Sequence, residues 1–319
     1  MTGAQQGATS APFPLAYTPP LLEDLARLEH DVERQLRNPE LKELKLLGYG
    51  EITVAVAYPT NSPLWAGKRL PPSKDAAAIL RYKAHVERYI ALLIADGVDV
   101  IPTTCHVVPA SNGASALYLC QPILPAETLG PAVLKTRKPD PEDPLINAIF
   151  DSVIRVTSPT LAIDAQLPNW AWIGDRPWQL DVSTPFTRSA DDQHELDDRL
   201  IVRPFPSLLQ PVLRRFVVPS VLARYHALRP SFVDFIGNLK KEGLANWMDA
   251  ATIAANAALL RSEEAHTHPI TVGEAIKYAG DEAKLWTTIY QLKRLSRMLT
   301  KARGGVYQYM LSPPTAYSN

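Results

Sequence analysis

The chain has 319 residues, with 33 basic and 33 acidic side chains, so its formal net charge at neutral pH is zero. That balance gives nucleic acid or an anionic membrane no bulk electrostatic attraction, and no apolar stretch approaches the roughly twenty residues needed to span a bilayer. With 46% hydrophobic residues, a chain of this length buries a substantial core and suits two compact lobes.

The first twenty residues, rich in Gly, Ala, Thr and Pro, predict a flexible N-terminal arm. They lack the basic and apolar regions of a secretory signal, so a cytoplasmic location is expected. An amphipathic helix follows, with Leu21, Leu25, Leu28, Val32 and Leu36 on one face. Strands are expected from about residue 42 to 70. Within them, LLGYGEITVAVAY places Gly48 and Gly50 between two apolar alternating runs, a hairpin whose backbone can approach a phosphate closely. A glycine pair in such a turn also arises simply where positive φ is needed.

Lys68 lies in the strand-like run LWAGKRL, and the next segment is helical: Ile79, Tyr82, Val86, Tyr89, Ile90 and Leu93 recur at helical spacing to about Asp96. Glu87 sits inside that helix, where it either reaches a strand lysine or forms an i, i+4 surface pair with Lys83. Two more strands follow in VIPTTCHVVPA and ASALYLCQPIL. Their cysteines, Cys105 and Cys120, have neither metal-like nor redox-like spacing and read as buried reduced thiols.

After a Pro-rich basic connection, DPLINAIFDSVIRVTSP predicts a helix leading into LAIDAQLPNWAWIGDRPWQLDVSTP. This last stretch carries Asp164, Asn169 and Asp181. An acid, an amide five residues on and an acid closing the next strand suit phosphoryl transfer: the first carboxylate accepts a proton, and the amide oxygen and last carboxylate bind magnesium. Trp170, Trp172 and Trp178 flank the hairpin and read chiefly as packing. The acidic run SADDQHELDDR, with Asp191, Asp192, Glu195, Asp197 and Asp198, reads as a solvated loop or as an attractor for a cationic substrate. From about Ser207 onward nearly everything reads helical, apart from the turn holding His266 and His268.

The order of glycine hairpin, lysine strand, glutamate helix, two strands, linker, helix, catalytic loop and metal-binding aspartate resembles the protein-kinase-like superfamily. The pattern is closer to the bacterial aminoglycoside and choline phosphotransferase type than to eukaryotic protein kinases, and it covers about residues 40 to 190. The resemblance implies an α+β, bilobal kinase-like fold. Residues 1–20 would be the arm, 21–122 a small antiparallel β-sheet lobe with one long helix and an extra N-terminal helix, and 123–319 a mostly helical lobe.

The resemblance also implies roles. Asp164 would be the catalytic base, Asn169 and Asp181 the magnesium ligands, and Lys68 the phosphate contact, with Glu87 as its ion-pair partner. Gly48 and Gly50 would cover the phosphates of ATP. The backbone at Gln121, Pro122 and Ile123 would meet the adenine edge, with Ala55, Ala66 and Leu119 lining its faces. The acceptor would be a hydroxyl of a small molecule or peptide, with no nucleic-acid or membrane partner.

The chain departs from the pattern where Ala162 replaces the usual histidine, Thr53 the third glycine, and Val182-Ser183 the Phe-Gly after the metal aspartate. No Ala-Pro-Glu motif follows. A catalytically silent scaffold that binds a nucleotide or a partner protein, and transfer of a nucleotidyl group instead of a phosphoryl group, are the alternatives.

Overall fold

The computed structural model describes residues 12–50 and 52–311. The first eleven residues of the expected arm and the last eight of the expected helical lobe lie outside the described residues. In chain order the small lobe holds α1 (Leu22–Arg37), β1 (Lys45–Tyr49), β2 (Val54–Tyr58), β3 (Trp65–Ser73), α2 (Ala76–Ala95), β4 (Asp99–Val100), β5 (Thr104–Pro109) and β6 (Ser115–Pro122). The larger, mostly helical part holds α3 (Gly130–Lys135), α4 (Pro144–Val156), the strands β7 (Trp170–Ile173) and β8 (Arg176–Gln179), and then α5 (Asp198–Val202), α6 (Gln210–Val212), α7 (Val218–Ala223), α8 (Leu228–Lys241), α9 (Met248–Leu260) and α10 (Val272–Ala302). The fold is thus α+β, with a five-stranded antiparallel sheet followed by helices, as expected.

The sheet has the order β1-β2-β3-β6-β5 and is covered on both faces. Side chains alternate between the faces of a strand. Val54, Val56, Ala116, Tyr118 and Cys120 therefore meet Leu25, Leu28 and Val32 of α1, while Leu70, Leu117 and Leu119 join the core with Ile79, Tyr82, Val86 and Tyr89 of α2. Gly67 permits the close approach of α1, because a Cβ there would lie 2.9 Å from the Trp65 ring and 3.3 Å from Leu28. Asp75 begins α2 by accepting the Ala78 N–H at 2.9 Å, which satisfies one of the orphan donors of the first turn.

The expected arm is only partly an arm. Between residues 12 and 20 the chain forms no helix or strand, yet Phe13 stacks edge-on against Trp178 at 5.0 Å and the Tyr17 hydroxyl lies 3.3 Å from that of Thr104. Phe13 and Leu15 pack with Leu124 and Leu180 on the small three-stranded sheet β4-β8-β7. Composition showed the absence of regular structure, whereas the apolar cluster that holds the segment comes from distant strands.

The helical part is organised around Phe150 of α4 with Phe232 and Phe235 of α8, whose ring centroids lie 4.4 and 4.9 Å from it. Five buried alanines of α9, Ala250, Ala251, Ala254, Ala255 and Ala258, bring its backbone close to its neighbours. The long α10 packs along α8, and the residues after it return to the small lobe. Tyr307 donates to the carbonyl of Pro204 at 2.8 Å, and the Gln308 carbonyl accepts from Arg69 at 3.1 Å. No described helix is long and apolar enough to cross a membrane.

Arg69 itself is buried against Glu29 of α1 in a bidentate pair of 2.7 and 2.8 Å, and Tyr118 donates to the same carboxylate at 2.7 Å. Breaking a buried pair strands a desolvated charge, so Glu29→Ala is expected to cost about 3–5 kcal/mol of unfolding free energy. Tyr118→Phe removes one hydrogen bond to that carboxylate, which keeps its Arg69 partner, and is expected to cost about 1.5–3 kcal/mol. Denaturant titration of the two variants checks that ordering.

Candidate functional site

Strand register assembles one side of the site. Ala55 of β2 pairs with Lys68 of β3, and Lys68 with Leu119 of β6. Directly opposed residues share a face, so Ala55, Lys68 and Leu119 form a row across three strands on the face opposite α1. Ala66 and Gln121 form the next pair. The three apolar residues expected to line an adenine thus stand beside Lys68. The Gln121 amide donates to the Leu180 carbonyl at 2.7 Å and to Thr103 at 2.9 Å, tying the end of β6 to the strand leading into Asp181.

The β7–β8 hairpin assembles the other side. Its two-residue turn, Gly174 and Asp175, has positive φ at both positions, as the tight hairpins with the favoured twist require. The Asn169 carbonyl accepts from the Leu180 N–H at 2.7 Å. Asn169 and Asp181 therefore emerge together at the open end of the hairpin, although twelve residues separate them. Trp170 and Trp178 are buried and serve the packing: their indole N–H groups donate to the carbonyls of Asp164 and Ile173.

The charged groups of the two sides meet at Lys68 and Asp181. Lys68 Nζ lies 2.7 Å from Asp181 Oδ2. Asp181 Oδ1 accepts from both the backbone N–H and the hydroxyl of Ser183, at 2.9 and 2.7 Å. Burial alone would raise the Asp181 pKa, but the Lys68 charge and these hydrogen bonds outweigh it and hold the carboxyl below the usual carboxylate range. Ser183, which stands where the resembled pattern has glycine, thus has a positive role.

Glu87 requires a correction. Its carboxylate pairs with Lys83, 2.6 Å away on the exposed side of α2, and not with Lys68, whose acid is Asp181. Here the apolar residues Tyr82, Val86 and Tyr89 claim the inner face.

The glycine hairpin also differs from the expected picture. Neither Gly48 nor Gly50 adopts positive φ. Gly50 leaves room for Thr53, the side chain at the position of the pattern's third glycine, because a Cβ at Gly50 would lie 2.3 Å from Thr53 Oγ1 and oblige that hydroxyl to shift. Its N–H donates to the Thr53 carbonyl at 2.9 Å and closes the turn. The backbone at Gly48 has open space beside it. The tip around Gly50, Ile52 and Thr53 is flanked by Tyr290 and Lys293 of α10 and by Gln308.

Asp164 stands before the hairpin, half-buried. Its Oδ1 accepts the Gln166 N–H at 2.9 Å. Desolvation comes first among the influences on it, followed by the charge of Asp234, with smaller contributions from Asp181 and Glu282; together they push its pKa up to about 8. Asp234 of α8 accepts from Gln166 and Asn238 at 2.9 Å each, and burial raises its carboxyl, as it does Glu282 of α10. Neither acid was singled out from the sequence. The signal for Asp234 was a lone acid in the apolar run FVDFIG, where a charge needs a buried partner or a reason.

Other candidates take structural places. Asp192 pairs with Arg188, Glu195 with Arg88 and Asp198 with Arg214, while Asp197 caps α5. These four acids of the SADDQHELDDR loop are engaged locally, which weakens its reading as an attractor for cations. His266 and His268 lie in the turn before α10, and no group of three or more metal-ligating side chains was found among the described residues. Both cysteines are buried and unbridged, and burial pushes the Cys105 thiol up to about 12.

The chain belongs to the Family of unknown function (DUF6206). That family's model matches residues 27–297, which spans both lobes and every site residue named above. No curated protein matches the chain. Among solved structures it is similar to the MAP kinase LmaMPK10 from Leishmania major, at 11% identity over 79% of this chain and 87% of that one, with a TM-score of 0.31. A likeness of that size assigns no residue and no activity, so for this DUF6206 member the site rests on the geometry of Lys68, Asp164, Asn169 and Asp181.

That geometry sets a pH dependence. Between about 4 and 8 the folded state holds a proton on Asp164 that the unfolded chain has released, so stability falls as pH rises through that window. Asp181 has the opposite sign, and its contribution is lost as pH falls below the ordinary carboxylate range. Asp164→Asn is therefore expected to gain stability relative to wild type as pH is raised from 5 to 9, read by thermal denaturation across that range.

Proposed function

We propose that this chain is an ATP- and Mg²⁺-dependent phosphotransferase acting on a hydroxyl of a small molecule or peptide. The observation that supports this reading most is the convergence of three segments. A lysine from the sheet touches Asp181, the backbone of Asn169 is bonded to Leu180 next to that aspartate, and Asp164 feels the charge of Asp181. Phosphoryl transfer calls mainly for positioning and charge neutralisation.

In this reading Asp181 and Asn169 hold magnesium, whose chemistry is to neutralise charge on the phosphates and orient them for in-line transfer. Lys68 contacts the phosphates, Ala55, Ala66 and Leu119 line the adenine, and the backbone at Gln121 and Ile123 meets its edge. Gly48 and Gly50 supply backbone near the phosphates. Asp164 takes the acceptor proton, which requires its carboxyl to be ionised. A bound cation at Asp181 would favour that ionisation by replacing nearby negative charge with positive.

The second reading is a silent scaffold that binds a nucleotide or a partner protein. Three observations favour it: the raised pKa of Asp164, the absence of a helix glutamate at Lys68, and Ala162 in place of the loop histidine.

Calorimetric titration of ATP into the purified protein, with and without magnesium, tests the phosphotransferase reading. Magnesium-dependent binding is expected in wild type and Asp164→Asn and is expected to be lost in Asp181→Asn. Once an acceptor is known, Asp164→Asn should lower turnover by roughly 10²–10⁴-fold. Absence of nucleotide binding under every condition would overturn the phosphotransferase reading, and binding with no turnover on any acceptor class would leave the scaffold.

A further inference from the structure

Helix α2 reaches the site through its tyrosines. Tyr82 and Tyr89 are seven residues apart, which places them on one face of the helix about 10 Å apart along its axis. Both are almost wholly buried. The Tyr82 hydroxyl donates to the Ser183 carbonyl at 2.8 Å, and the Tyr89 hydroxyl donates to the Ala162 carbonyl at 2.9 Å. Ser183 lies two residues after Asp181, and Ala162 lies two residues before Asp164.

We propose that Tyr82 and Tyr89 are positioning residues, and that α2 acts through them as a ruler fixing the segments of Asp181 and Asp164 relative to each other. The role assigned to those two aspartates rests on the phosphotransferase reading. The connection from Tyr82 is short: the residue whose carbonyl it holds also donates two hydrogen bonds to Asp181 Oδ1. The two segments are also joined directly, with the Ala162 N–H donating to the Phe186 carbonyl at 2.9 Å and an antiparallel bridge between Leu161 and Thr187. The tyrosines add a rigid third side to that frame. α2 is itself fixed by its Asp75 cap and by Ile79, Val86 and Leu93 against the core.

Any buried tyrosine requires a partner for its hydroxyl, so hydrogen bonding alone does not establish positioning. The placement is what does: one helix face directs both hydroxyls to the two backbone carbonyls that flank the polar residues of the site. With Glu87 turned outward to Lys83, these contacts link α2 to the site where an ion pair with Lys68 was expected. Burial, with the Asp164 and Asp181 charges adding to it at Tyr89, raises both phenols above the usual tyrosine range, which favours the donor form.

The test uses Tyr82→Phe and Tyr89→Phe in the full chain, with Tyr118→Phe as a control that loses a buried hydrogen bond to Glu29 in the small lobe. Phenylalanine keeps the ring packing and deletes only the donor. Hydrogen exchange is expected to rise in the segment around 181–187 for Tyr82→Phe and in that around 160–169 for Tyr89→Phe, each sparing the other. The magnesium-dependent affinity for ATP is expected to fall about three- to ten-fold in Tyr82→Phe, the range of one hydrogen bond, and to be unchanged in Tyr89→Phe and Tyr118→Phe.

If all three variants lose similar thermal stability while exchange in both segments and magnesium-dependent affinity remain those of wild type, the tyrosines only pack and the proposal is overturned. If wild type binds no Mg·ATP, the phosphotransferase reading fails, while segment-specific exchange still decides whether α2 sets the spacing.

Discussion

The contact between Lys68 and Asp181 is the constraint on which the site depends. It joins a sheet whose register is set far from the cleft to a hairpin whose register is set by its own turn. Neither partner is free to wander. Lys68 stands in a row with Ala55 and Leu119, and Asp181 is held on its other oxygen by Ser183. The desolvation that would otherwise raise a buried carboxyl is overcome by one lysine and two short hydrogen bonds, so Asp181 stays anionic. In the proposed reaction a magnesium ion and the nucleotide phosphates take up the charges that these two groups now offer each other.

Asp164 lives under the opposite balance. Among the described residues no cation pairs with it, and it shares a desolvated region with Asp234 of α8 and Glu282 of α10. Like charges gathered in one region disfavour one another's ionised forms, and burial strengthens the effect. Two aspartates seventeen positions apart in the chain are thereby pushed to opposite sides of the usual carboxylate range. Such divergence is the physical basis for one acid to bind a cation while its neighbour exchanges a proton.

The frame around these groups is built redundantly from both ends of the chain. α1 covers the back of the sheet through Leu25, Leu28 and Val32, and its Glu29 anchors Arg69, the neighbour of Lys68 that alternation directs to the other face. The residues after α10 return to the same arginine through Gln308, and Phe13 and Leu15 pack behind the strand end that leads into Asp181. The lysine is thus held in place by a strand whose opposite face is fixed by two chain segments from far along the chain.

Helical periodicity was enough for α1, α2 and α4, which bury one face and so write their period into the sequence, while short apolar runs bounded by turn residues marked the strands around residues 42–122. The spacing of Asp164, Asn169 and Asp181 was equally legible as chemistry, and Tyr82 and Tyr89 were visible as members of an apolar helix face. What each polar group touches was not. Glu87 and Lys83 satisfied the sequence pattern as well as Glu87 and Lys68 did, and only packing of the tyrosine face turned the glutamate outward. Thr53 and Ser183 read as losses from a glycine pattern, yet one packs against Gly50 and the other holds Asp181. Asp234 and Glu282 come to Asp164 from helices 70 and more residues away. The sequence by itself determined the elements and the candidate chemical groups, since local periodicity and residue type are local properties. The tertiary structure decided the partners and the charge states, because ion pairing and desolvation depend on distances that only the folded chain defines.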